Sequence, residues 1–192
     1  PSFMHTILYF HVARNFLPAP EANCAKIVIE GENWGIYVNQ EQFNKDFLKK
    51  WFGTRDGVRW KMPANPGGGR GLLYLGDDVE AYKNRYKLLT EDADPSSWKD
   101  FAKMTKTLCE TPPAQLEEAL DPLFNIDRAL WFLALDNVFL NEDGYWIRSS
   151  DFKLYGPPGI IFFDSQGQEI DGVRVVGFMN ADQFLALLAR LG

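Results

Sequence analysis

NEDGYWIRSSDFKLY, residues 141–155, is the stretch on which the reading of this chain turns. It follows an apolar run from Ile126 to about Leu140, where Trp131, Phe132, Leu133 and Leu135 make the hydrophobicity nearly continuous. That pattern predicts a long helix, capped by Asn125 and buried on most sides. A polar, acid-bearing loop between a buried helix and a strand suits catalysis, because rigid flanks fix its geometry while the loop reaches a cleft. Asp143 and Asp151 lie eight residues apart across a turn that can return them to one place. One carboxylate orienting a hydroxyl while another holds a metal is a division of labour that phosphoryl transfer uses. From the spacing alone two solvated loop acids are the favoured reading, and the catalytic one needs further support.

Upstream, Ser2 can cap a helix carrying Phe3, Ile7, Leu8 and Val12 at helical spacing, stopped by Pro18-Ala-Pro20. Cys24 to Ile29 reads as a strand, Gly31 to Asn33 as a turn and Trp34 to Val38 as a second strand, which together make a hairpin. Gln40 to Trp51 predicts a short amphipathic helix with Phe43, Phe47, Leu48 and Trp51 inward, ended by Gly53. A brief strand, Val58 to Met62, leads into PANPGGGRG at 63–71. Its glycines would let backbone amides cradle a phosphate, but no Lys-Ser or Lys-Thr follows, so a plain loop is expected.

Val79, Tyr82 and Tyr86 then share one helical face, and Trp98, Phe101, Met104 and Leu108 another, with Ser96 or Ser97 as its cap. Thr111 followed by Pro112 signals a further helix start. After residue 155 a buried-type strand is expected from Gly159 to Phe163, a turn from Asp164 to Gly167 and a strand from Val173 to Gly177. A final helix capped by Asn180 carries Phe184, Leu187, Leu188 and Leu191 inward. No internal repeat is visible.

With 46% hydrophobic residues and a net charge of -6, the chain has the composition of a globular protein rather than a disordered or membrane one. Its six Trp and fifteen Phe fit a substantial core or an aromatic-lined cleft. The acidic balance argues against nucleic-acid binding, which needs a basic stripe to neutralise phosphates. No apolar run reaches the roughly 20 residues that span a bilayer. No signal peptide is legible, and the start at Pro1 leads us to expect an upstream segment. Cys24 and Cys109 form neither a C-x-x-C pair nor a zinc pattern, leaving a lone disulfide or two buried free thiols, the latter preferred.

Several of these stretches, in order, resemble the CotH family of atypical protein kinases over about residues 1–155. WGIY at 34–37 followed by EQFNKDF at 41–47 is similar to that family's small strand ending in Gly-x-Tyr, its Glu-Gln pair and its short helix. Arg59-Trp-Lys61 is similar to an aromatic-Lys element, and residues 141–155 resemble an Asn-x-Asp loop, a polar residue and an aromatic-Leu-Tyr strand. The resemblance implies a protein-kinase-like fold and transfer of phosphate from ATP to Ser or Thr of secreted or spore-coat proteins, with Mg or Mn as divalent metal. It implies that Asp143 is the catalytic acid. Asp151 would be a metal ligand where the family more often has Asn, a change that keeps an oxygen donor but adds charge. Glu41 would lie near the nucleotide-binding linker and Lys61 near the cleft. The chain departs from the pattern in lacking an upstream Gly-rich strand and a phosphate-pairing Lys. The metal-binding Asp expected beyond the Leu-Tyr strand has one candidate, Asp164 in IIFFD at 160–164.

YGPPGIIFFDSQG at 155–167 and VGFMN at 176–180 resemble instead the end of a thioredoxin-like domain of DsbD-type thiol:disulfide interchange proteins. That resemblance makes Pro158 a cis-proline opening a strand and Gly177-Phe178 the lead into the last helix. The segment has no C-x-x-C pair to perform redox chemistry. The expectation is therefore an α+β chain: a partial, mainly helical CotH kinase-like domain at 1–155, then a β-β-α thioredoxin-like fragment at 156–192, joined near Phe152 to Gly156. The expected activity is that of a CotH-like ATP-dependent kinase, impaired in this chain, acting on a Ser/Thr acceptor protein outside the cytoplasm. A DsbD-type thiol-disulfide fragment and a non-catalytic envelope or spore-coat binding protein are the alternatives. The sequence leaves the oligomeric state undetermined.

Overall fold

A computed structural model describes residues 3–64, 71–91, 93–142, 144–156, 160–163 and 169–175. In chain order the elements are α1 (Phe3–Ala13), β1 (Ala22–Ile29), β2 (Glu32–Gln40), α2 (Lys45–Phe52), β3 (Val58–Met62), α3 (Val79–Lys83) and β4 (Lys87–Leu88). They continue with α4 (Ser97–Glu110), α5 (Pro113–Leu120), α6 (Ile126–Val138), α7 (Tyr145–Arg148), β5 (Phe152–Gly156), β6 (Ile160–Phe163) and β7 (Glu169–Val175). Helices and antiparallel strands are both present, so the fold is α+β. The chain divides into two compact units, residues 1–55 with 127–141, and residues 56–126 with 142–192. The expected boundary between 155 and 156 falls at the end of β5.

In the first unit β1 and β2 form the hairpin, with Ala22 opposite Gln40 and Ile29 opposite Glu32. The turn is the residue pair Glu30-Gly31, one position earlier than expected, and both have positive φ, 52° and 84°. Two left-handed residues match the twist of the flanking strands, which is why a Gly at the second position fixes the register there. The next helix starts at Lys45 rather than Gln40. Asn44 sets this start, because its side chain accepts from the amides of Asp46 and Phe47, both at 3.0 Å. Gly53 in the left-handed conformation ends it, and Phe47 and Leu48 are buried as the spacing predicts.

Ala13, Ala19 and Leu135 centre the other core of this unit, surrounded by Tyr9, Phe10, Val12, Leu17 and Phe139. Tyr9 meets Phe139 edge-on at 5.4 Å, and Phe16 stacks on Trp131 at 4.1 Å. The expectation that α6 is buried on most sides is not met. Leu135 and Asp136 are its buried residues, while Leu130 and Val138 are 61% and 76% exposed. Apolar character around the whole helix does not decide how many of its faces find a partner.

The second unit is built on the antiparallel sheet β4-β3-β5. Side chains alternate across such a sheet. One face carries Trp60, Met62 and Phe152, all buried. Trp60 packs on α4, stacked with Phe101 at 5.3 Å and edge-on to Trp98 at 6.5 Å. Tyr82 and Tyr86 meet Phe101 edge-on at 5.7 and 4.7 Å. Tyr82 also shares a buried hydrogen bond with Thr105 at 3.1 Å, so its phenol is satisfied within the core.

α3 ends at Lys83, so Tyr86 lies beyond the helix whose face it was expected to share. Two-residue β4 has no counterpart in the sequence reading, and four-residue α7 falls in the expected loop, both too short for periodicity to detect. α5 starts at Pro113, as the Thr-Pro signal predicts. Beyond β5, β6 and β7 pair antiparallel, with Ile160 opposite Val175. β7 begins at Glu169, four residues before the expected Val173. The expected turn at 164–167, the helix from Asn180 and the cis-proline at Pro158 lie outside the described residues. Cys24 and Cys109 are free, and both are exposed rather than buried.

Candidate functional site

The face of the β4-β3-β5 sheet opposite the aromatic core is basic. Lys61 in β3 lies directly across from Lys87 in β4 on one side and from Lys153 in β5 on the other. Directly opposed residues of an antiparallel pair point to the same face, so the three ammonium groups form one row across the sheet. Two residues along β3, Arg59 opposes Tyr155 on that same face, and its guanidinium donates to the carbonyl of Leu89 at 3.2 Å. Lys153 is exposed as a residue, yet burial around its ammonium group holds its pKa below the usual lysine range. Repulsion from Lys61 adds to this lowering and attraction from Asp151 opposes it. The resemblance pointed to Lys61 alone. Lys87 and Lys153 were missed because only strand register brings them beside it.

The loop at 141–155 is anchored at both ends. At its start the Asn141 side chain donates to the Asp136 carboxylate at 2.6 Å, and the Asn141 amide donates to the Asp136 carbonyl at 3.0 Å. Asp136 is 1% exposed. At its end Ser149 and Asp151 both adopt positive φ, 49° and 52°, on either side of buried Ser150. Non-glycine residues held in this region carry strain that the surroundings must sustain, a condition common at functional loops. Tyr145 reaches back from α7, its hydroxyl accepting from the Leu72 amide at 3.3 Å, and the Gly71 amide donates to the Ser149 carbonyl at 3.1 Å. Residues 71–72, just past the glycine-rich stretch, are thus fastened to the loop that ends in Asp151.

Asp151 is exposed and lies close enough to Lys153 for their charges to interact. Asp143 and Asp164 lie outside the described residues, so their relation to Asp151 is not described. Glu41 belongs to the first unit. It accepts from the Glu21 amide at 3.0 Å, and Lys50 bridges it at 3.5 Å and Glu21 at 2.6 Å. That ion-pair cluster accounts locally for the Glu41 carboxylate. Among the described residues no three His, Cys, Asp or Glu side chains gather into a group able to hold a metal ion. Asp151 by itself is an incomplete ligand set for Mg or Mn, since such ions are held by several oxygens.

A family model described as CotH kinase protein matches residues 1–168. The chain is also similar to thiol:disulfide interchange proteins DsbD. It is 52% identical to that of Haemophilus ducreyi over 124 residues, covering 62% of this chain and 19% of that protein. The protein from Tatumella citrea is 56% identical over 71 residues, 37% of this chain and 12% of its own length. For the protein from Pectobacterium atrosepticum the identity is 58% over 38 residues, 20% and 7%. The chain therefore spans less than a fifth of the length of these curated relatives. Among the described residues no helix is long and apolar enough to cross a membrane.

Proposed function

This chain belongs to the CotH kinase protein family, and from that premise we propose that it is a CotH-like, ATP-dependent protein kinase acting on Ser or Thr of a protein substrate, with reduced activity in this chain. The observation that carries the reading is the family match over residues 1–168, in which the ordered elements at 34–47, 59–61 and 141–155 all fall. In this mechanism Asp143 accepts a hydrogen bond from the acceptor hydroxyl and orients it, the task of the acid in a kinase catalytic loop. Asp151, with Asp164 as a further candidate, contributes oxygen ligands for Mg or Mn. When bound, that metal neutralises phosphate charge. Lys61 faces the phosphates and Glu41 lies at the nucleotide linker. Catalysis rests on positioning and charge stabilisation. Reduced activity follows from the departure at the second metal ligand, where the family's aspartate after the Leu-Tyr strand has only Asp164 as a candidate. An extracytoplasmic location and a protein partner with a Ser/Thr acceptor accompany this proposal.

The experiment measures ATP binding and transfer of the γ-phosphoryl group to Ser/Thr substrates in the presence of Mg or Mn. Asp143→Ala should lower transfer by about 100-fold or more, as the loss of a group that acts in the transition state does. Asp151→Ala should weaken metal-dependent nucleotide binding. If both variants bind and transfer like the wild type, the site assignment is wrong.

A second reading, a DsbD-type thiol-disulfide fragment, is favoured by the 52% identity to the Haemophilus ducreyi protein. The chain has two cysteines and no C-x-x-C pair. Insulin reduction that is lost on replacing either Cys24 or Cys109 by Ser would promote this reading. Absence of both nucleotide binding and insulin reduction would favour a non-catalytic envelope or spore-coat binding protein.

A further inference from the structure

We propose that Tyr145 and Gly71 form a clamp that sets the geometry of the acid-bearing loop, which makes Tyr145 a positioning residue for the acids on it. Its effect on catalysis rests on the kinase reading above; the clamp itself does not. Gly71 is buried and held from three sides. Its amide donates to the Ser149 carbonyl at 3.1 Å, its carbonyl accepts from the Tyr86 hydroxyl, and the Tyr145 ring closes on it so tightly that a Cβ there would stand 2.8 Å from the phenol oxygen. Its φ of 55° lies in the left-handed region as well, so both the backbone and the approach of the ring call for glycine. Tyr145 is fixed in turn: its ring meets buried Phe152 edge-on at 5.2 Å, and its hydroxyl accepts from the Leu72 amide at 3.3 Å. Phe152 belongs to the packed face of the sheet, so the clamp is anchored to the rigid part of its unit. Between Tyr145 and Phe152 the chain carries Ser149 and Asp151 at positive φ, a cost that persists only where neighbours over-determine the backbone. Residues 71 and 72 lie outside every helix and strand, so their bonds to Ser149 and Tyr145 complete no ladder and serve to hold the loop. Asp143 precedes Tyr145 by two residues and Asp151 follows Ser149 by two, so the clamp bears on the chain at both acids.

The test compares the whole chain with Tyr145→Phe, which keeps the ring against Phe152 and deletes only the oxygen that takes the Leu72 amide. Amide hydrogen exchange, followed by mass spectrometry, reads the clamp without reference to activity. Exchange should rise about fivefold in peptides covering 71–72 and, together with them, in peptides covering 144–151, while α4 keeps its protection. An increase confined to 71–72 would mean that the loop holds itself, and an increase spread equally over α4 would mean that Tyr145 is a core residue like any other; either overturns the proposal. In transfer assays Tyr145→Phe should lower kcat about tenfold and leave KM for ATP within about twofold, the pattern of a group that places the reacting parts without binding the nucleotide. Coupled exchange in a chain that transfers no phosphate would leave the clamp standing and sink the kinase reading alone. Transfer that is lost in Asp143→Ala but keeps its full kcat in Tyr145→Phe would do the reverse.

Discussion

Lys153 is the residue in which electrostatic conflict is most visible. Its depressed pKa means that the unfolded chain binds more protons than the folded one between that lowered value and the ordinary lysine value of about 10.4. The cost is fully present at neutral pH and is relieved as pH rises through the folded-state value, so this residue makes stability climb with pH in that window. Lys153→Gln should therefore stabilise the protein by about 0.5 kcal/mol at pH 7 and flatten the alkaline climb, as denaturant melts from pH 7 to 10 would show. A drop in stability would mean that Lys153 makes net favourable contacts in the fold. Tyr9 carries the opposite sign. Burial and then Asp136 push its pKa up to about 12, so its contribution is intact below pH 10 and lost as pH rises further. Lys61 was named by resemblance and Lys153 by nothing in the sequence, because a lysine in a strand looks alike whatever stands across from it.

At the scale of elements, caps and tight approaches decide the boundaries. Asn44→Ala removes the acceptor for two amides at the start of α2 and should cost about 1 kcal/mol by thermal or urea melting. Gly57, at the entry to β3, has φ of 108°, and a Cβ there would stand 2.6 Å from the Gly156 carbonyl of the paired strand. Gly57→Ala should cost about 3 kcal/mol, since neither the backbone conformation nor the neighbouring strand can accommodate it. A change below 1 kcal/mol would show that the β3–β5 edge gives way easily. Most elements were legible in the sequence. The spacing of Phe47 and Leu48, of Trp98, Phe101 and Met104, and the alternation in β3 each record a face that is buried, whereas the alternation in β1 marked a strand with no buried residue. β4 and α7 were not legible, because two and four residues span little more than one period, too few for a pattern to repeat.

At the scale of the whole molecule, the two units draw on distant parts of the chain, and 127–141 joins the N-terminal unit across more than seventy intervening residues. Both thiols should react with Ellman's reagent in the native protein, giving two equivalents per chain without denaturant. Labelling only after reduction would establish a disulfide instead. The amino-acid sequence alone determined the α+β class, the family to which the chain belongs, the likeness to DsbD and the acid-bearing loop. These are written in local spacing and in ordered motifs, which act over a few residues at a time. Tertiary structure alone decided that three lysines share a row, that Asn141 is pinned to Asp136 and that α6 leaves Leu130 and Val138 in solvent. The Asn141–Asp136 contact is local, but its geometry is set by how the helix ends. The row and the exposure of α6 depend on which segments far apart in the chain come together, and no local pattern encodes which partner a strand or a helical face will meet.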